Sequence, residues 1–67
     1  MSPTKLGRMV KTLRKAKGMT QVELAAKAKV TQAYLAQLEA GTRKNPSLEI
    51  LNRLAKALGV PVTELLE

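Results

Sequence analysis

TQVELAAKAKVTQAYLAQLE, residues 20–39, holds two helix starts eleven residues apart. Thr20 followed by Glu23 is a capping box: the hydroxyl takes a free amide of the first turn, and the carboxylate reaches back to the amide of Thr20. A helix therefore begins at Gln21. Thr31 offers the same kind of cap to a second helix beginning at Gln32. Between the two starts, Leu24, Ala25, Ala28, Val30, Leu35 and Leu38 are apolar at positions that let two short helices cross tightly. Each helix opens with a glutamine, and Gln21 and Gln32 are placed to face outward together.

The flanks of this stretch are helical as well. Five helices fit the chain, and no strand pattern is present. Leu6, Met9, Val10 and Leu13 follow the i, i+3, i+4, i+7 spacing of a helix over about residues 6–17, closed by Gly18. Lys5, Arg8, Lys11, Lys15 and Lys17 cover its other faces. The second and third helices are expected over 21–28 and 32–40, with Gly41 ending the latter. TRKNP, residues 42–46, is a basic loop, since Pro46 disfavours helix at Asn45. Ser47 caps a fourth helix with the stripe Ile50, Leu51, Leu54, Ala55 and Leu58, ended by Gly59. Pro61 suits the first turn of a short fifth helix over 61–66. With no linker, repeat or low-complexity tract, residues 1–67 are expected to form a single domain around one core. Leu6, Leu13, Leu24, Leu35, Leu38, Ile50, Leu51, Leu54 and Leu58 are assigned to it. Val62, Leu65 and Leu66 have two outlets: they close the core, or they form the two-fold interface of a homodimer.

Composition narrows the function. Sixty-seven residues bury a modest core, while 45% hydrophobic residues argue against disorder. The absence of cysteine and histidine removes disulfides, thiolate zinc sites and the commonest general base. Catalysis, a metal and a cofactor are not expected. No apolar stretch approaches the roughly 20 residues of a membrane span. MSPTKLGRMV lacks the long apolar segment of a signal peptide, so a cytoplasmic location is expected. The lack of Phe, Trp, His, Cys and Asp, with Ala, Leu and Lys dominant, fits a designed or redesigned helical protein; thermophilic ancestry explains it equally. Twelve Lys and Arg against five Glu give a net charge of +7, a bias toward a polyanion. A solubilising surface is the plainer alternative. Two capped helices with paired glutamines tilt the choice toward nucleic acid. They have the layout of a helix-turn-helix whose second helix enters the major groove.

GMTQVELAAKAKVTQAYLAQLEAG (residues 18–41) and NPSLEILNRLAKALGVPVTELL (residues 45–66) resemble the Cro/cI-type (XRE-like) helix-turn-helix of phage repressors and related bacterial regulators. The resemblance covers about Leu6 to Leu66. It rests on TQ-x-EL-A, a second TQ, LE-x-G, P-x-L and LA-x-LGV. It implies an all-α, compact five-helix lambda-repressor-like domain that binds double-stranded DNA sequence-specifically, in a transcriptional regulator or an engineered binder. It further implies that Gln21 fixes a phosphate and braces Gln32, that Gln32 reads a base edge, and that Gln37 faces the groove one turn later. Arg43, Lys44 and Asn45 match a loop that follows the DNA backbone. Arg14 and Glu39 match a partly buried ion pair. Three positions depart from the pattern. Ala33 replaces a longer base-reading side chain, Lys29 stands where the turn usually has glycine, and Tyr34 is bulkier than usual. A lysine at positive φ strains or reshapes the turn.

Weighed singly, Gln32 and Gln37 lie about 500° apart around a helix and share one broad face, suited to adenine edges; ordinary surface glutamines are the alternative. Ala33 and Ala36 either touch thymine methyls or merely permit close approach. Tyr34 and Thr31 are expected at a phosphate or along the groove wall. The alternative for Tyr34 is a ring folded on the protein with its hydroxyl in water. Arg43 and Lys44 belong at phosphates, with a groove edge the alternative for Arg43; the helix 1 lysines are read as a solvated face, with a phosphate the alternative for Lys5 or Arg8. A small antitoxin-like protein-interaction module with incidental charge is the competing function. No small-molecule ligand is expected.

Overall fold

The computed structural model describes residues 3–43 and 46–66. It contains α1 (Pro3–Ala16), α2 (Gln21–Ala28), α3 (Gln32–Ala40), α4 (Leu48–Leu58) and α5 (Thr63–Leu66), with no strand among the described residues. Three helix starts are set by hydroxyls. Thr20 Oγ1 accepts from the Glu23 amide at 3.1 Å, while Glu23 Oε1 accepts from the Thr20 amide at 2.9 Å. Thr31 Oγ1 accepts from Tyr34 N at 3.0 Å, and Ser47 Oγ from Ile50 N at 3.2 Å.

Two boundaries differ from the periodicity. Helix α1 starts about a turn earlier than residue 6, because proline is tolerated at a first position whose amide would be free in any case. It stops at Ala16, where Lys17, Gly18 and Met19 fold back onto the carbonyls of residues 13–15. Helix α5 is shorter than 61–66. Pro61 and Val62 instead form the turn that feeds it, accepting from Glu64 N at 3.0 Å and Leu65 N at 2.9 Å.

The turn between α2 and α3 is made by Lys29 in the left-handed region, φ 60 and ψ 43. Its amide and that of Val30 return to the carbonyls of Ala26 and Ala25, at 3.2 and 3.0 Å. These bonds satisfy the end of α2 and swing the chain into Thr31. Lysine gains nothing from this backbone conformation, which costs an L-residue about 1–2 kcal/mol.

Helix α3 packs across α1 and α2; α2 packs on α4, and α5 closes against α1 and α4. Leu6, Val10, Leu24, Leu35, Leu38, Leu54, Leu58 and Leu65 are the large side chains sealed inside. Leu13 and Ile50, assigned to the core from sequence, are only partly buried and pack on its rim. Leu65 is 1% exposed, so it belongs to the chain's own core. Of the two outlets open to it, Leu65 takes the core and not a dimer face: the turn at Pro61 and Val62 points it inward against α1 and α4. Val62 packs partly against the core, and Leu66 remains 42% exposed.

Helices α1 and α3 approach each other closely at Gly7. A Cβ built on Gly7 would collide with the carbonyl oxygen of Leu38 and stand 3.0 Å from that of Glu39. Only glycine lets the two backbones come this near.

Candidate nucleic-acid interface

The site begins with a buried ion pair. Arg14 on α1 meets Glu39 near the end of α3 in a two-pronged contact, Nε to Oε2 at 2.8 Å and Nη2 to Oε1 at 3.1 Å. The two side chains are 9% and 3% exposed. The third guanidinium nitrogen, Nη1, donates to the Met19 carbonyl at 2.8 Å and so holds the α1–α2 turn. The hydrogen bond to Glu39 raises the pKa of Arg14 further, against the opposing effect of burial, so its charge is permanent.

Gln21, which opens α2, is half-buried and donates Nε2 to Glu39 Oε1 at 3.1 Å. Glu39 thereby gathers α1, the start of α2 and the end of α3 at one carboxylate. The resemblance implied a brace from Gln21 to Gln32; among the described residues Gln21 is held by Glu39 instead. The physical reason is charge: an ionised carboxylate is a stronger acceptor than a neutral amide.

Helix α3 presents Gln32, Ala33 and Gln37 to solvent, while Tyr34 and Ala36 are half-buried beside them. Thr31 is exposed; its oxygen is engaged by the Tyr34 amide, which leaves the hydroxyl hydrogen as a donor. After α3 the chain is pinned to one acceptor. The Gln37 carbonyl takes Thr42 N at 3.0 Å, Thr42 Oγ1 at 3.1 Å and Arg43 N at 3.2 Å. The Arg43 guanidinium then lies over the Tyr34 ring, 4.9 Å from its centroid. Such a contact contributes about 0.5–1 kcal/mol at an exposed site and holds the cation beside the exposed residues of α3. Lys44 and Asn45 lie outside the described residues.

Sequence reasoning missed three of these features: the Gln21–Glu39 bond, the Tyr34–Arg43 stack and the repeated use of the Gln37 carbonyl beyond the end of α3. The only linear signal for the last is a threonine directly after the helix-ending Gly41. Chemically, the exposed end of α3 offers amide heads, each both donor and acceptor, flanked by a cation. Such groups read hydrogen-bonding edges and hold anions.

Residues 10–65 match the helix-turn-helix family HTH_3. The chain is 45% identical over 58 residues to the immunity repressor protein of Bacillus phage phi105, covering 87% of this chain and 40% of that protein. It is 39% identical over 62 residues to the HTH-type transcriptional regulator SinR of Bacillus subtilis, 92% of this chain and 56% of that protein. It thus spans about two fifths to a little over half the length of these relatives. A crystal structure of SinR in complex with DNA superposes with a TM-score of 0.89 at 39% identity, covering 92% of this chain and 98% of that one. The restriction-modification controller protein C.AhdI of Aeromonas hydrophila gives a TM-score of 0.90 at 36% identity, covering 94% of each chain. In sequence and in fold, the chain belongs to the helix-turn-helix family, together with phage repressors and SinR-type regulators.

Proposed function

We propose that this chain is the DNA-binding part of a transcriptional regulator and reads duplex DNA by inserting α3 into the major groove. The observation that carries the reading is the exposed set Gln32, Ala33 and Gln37 on a helix tied to its neighbours through Glu39. A similar chain, SinR, has been crystallised in complex with DNA. In this reading Gln32 and Gln37 contact base edges and Ala33 lies against a thymine methyl. Gln21, Thr31, Tyr34, Arg43, Lys44 and Asn45 serve phosphates or the groove wall. The charge of +7 draws the chain to DNA and requires neither catalysis nor a cofactor.

The described residues extend 24 × 23 × 21 Å, less than the roughly 34 Å of one DNA turn. One copy therefore covers one half-site. A homodimer through Leu66 and Val62 would read two, with Leu65 kept inside each copy.

Titration of labelled duplex from a selected site tests the reading. Log affinity should fall linearly with log salt, by about 0.9 per phosphate contact. Gln32→Ala should change base preference by roughly 1–3 kcal/mol at one position, whereas Arg43→Ala should weaken all sequences alike. Absence of duplex binding at low salt would overturn the proposal in favour of a protein-interaction module.

A further inference from the structure

A second concentration of positive charge lies at the other end of α2 from Gln21. A cleft of about 220 Å³ opens between the C-terminal end of α2 and the outer face of α4, lined by Lys27, Lys29, Arg53, Lys56 and Ala57. Lys27 is six residues beyond Gln21, about 9 Å along the helix axis. Nothing in the linear sequence gathers these four cations; the packing of α2 on α4 does.

Two independent features of the cleft are left uncompensated. The first is charge. Glu49 reaches Arg53 at 3.5 Å in an exposed pair one turn apart. Glu23 lies one turn from Lys27 and the two charges attract, but its carboxylate is hydrogen-bonded to the Thr20 amide rather than to the lysine. Among the described residues, no carboxylate comes within 4.0 Å of Lys27, Lys29 or Lys56. Like charges converging on one concavity repel, and its walls focus their field. The second is a donor. Arg53 Nε is sealed from solvent and has no hydrogen-bond partner, although a buried N–H is ordinarily paired. An oxyanion in the cleft relieves the first directly, and the second once the Arg53 side chain turns its Nε into the cleft.

We propose that this cleft is an anion site that takes a compact polyphosphate group, either a free inorganic polyphosphate or the triphosphate end of a nucleotide. The cleft is smaller than the roughly 300–1,000 Å³ of drug-sized sites, so the bound group is compact. Its lining has no aromatic ring to stack a base, so a nucleotide's base would lie outside it. Four cations match a multiply charged chain better than a single carboxylate. Lys29 adds its charge from a strained backbone position where glycine would sit without cost.

The test is a titration of the isotope-labelled chain with sodium tripolyphosphate, followed by amide chemical shifts. Saturable changes confined to the end of α2 and to α4 are expected. Lys27→Gln/Lys56→Gln should weaken binding at least tenfold, and an equal-charge control on α1, Lys11→Gln/Lys15→Gln, less than twofold. Arg53→Lys keeps the charge but removes Nε, and should weaken binding severalfold. The variants' amide spectra report that they remain folded. Repeating the titration with adenosine triphosphate tells the two sources apart: equal affinity means that only the phosphate chain is held. Shifts spread over α1, or equal losses in both double variants, would overturn the proposal. So would displacement of tripolyphosphate by saturating duplex together with an equal loss of duplex affinity in Lys27→Gln/Lys56→Gln, since the cleft would then be a DNA-backbone contact.

Discussion

At the scale of single residues, Gly7 and Lys29 show opposite uses of backbone freedom. Gly7 sits inside α1, where glycine costs up to about 1 kcal/mol relative to alanine. It stays because a Cβ there would strike the α3 backbone at Leu38 and Glu39. Backbone does not yield as a side-chain tip does. Gly7→Ala should therefore destabilise the chain by about 1–3 kcal/mol despite alanine's better helix propensity. Thermal unfolding checks this, with about 4–8 °C expected per kcal/mol for a chain of this size. An unchanged midpoint would mean that α1 and α3 can separate freely. Gly7 is illegible in the sequence, because its reason lies in a partner 31 residues away. Lys29 is legible only through the resemblance, which places it where the turn usually has glycine, and φ is 60.

At the scale of elements, the helices are set by their caps and tied by Glu39. Glu23 shows the first. The Thr20 amide, then the Thr20 hydroxyl, hold its carboxyl below the ordinary value of 4.5. A carboxyl whose folded pKa is depressed stabilises the fold above its unfolded pKa, and that contribution is lost as pH falls through the folded value. Wild type should melt above Glu23→Gln at pH 7, and the gap should close as pH drops below about 4.5. A gap that persists at pH 2 would assign the effect to packing. The Arg14–Glu39 pair shows the second. Removing either partner leaves a buried charge without its counterpart, at a cost of about 3–5 kcal/mol, most of the stability available to a domain of this length. Arg14→Met/Glu39→Leu should cost clearly less than the sum of the single changes, measured by urea unfolding; additivity would refute coupling. The pair itself could be carried over from the resemblance. The Gln21 bond to Glu39 could not, because it depends on how α2 leans on α3.

At the scale of the whole molecule, the C-terminal helix divides its two leucines between core and surface. Leu65 and Leu66 are adjacent and chemically identical, yet one is buried and the other is exposed. No periodicity separates them in a helix of 4 residues; only the turn at Pro61 and Val62 does. Leu65→Glu should unfold the chain, since it buries an unpaired charge. Leu66→Glu should leave the melting midpoint of the monomer near wild type and lower only self-association, followed by sedimentation against concentration. A Leu66→Glu chain that self-associates like wild type would exclude this face as the dimer contact. The all-helical class and the helix-turn-helix were readable from caps and spacing, because those signals are local. The α2–α4 cleft was not, because its cations come from two helices that meet only in the folded chain.

The near-contact of α1 and α3 at Gly7 has a bearing on how sequence is read. Two helices in backbone contact, with a buried ion pair beside them, have no slack through which α3 can roll or slide. On the proposed reading, in which α3 enters the groove, the recognition surface then behaves as a rigid die. Whatever adjustment a binding site demands must be made by the duplex, through its bend, twist and groove width. The chain should accordingly discriminate between sites that share every contacted base but differ in the stiffness of the steps between them.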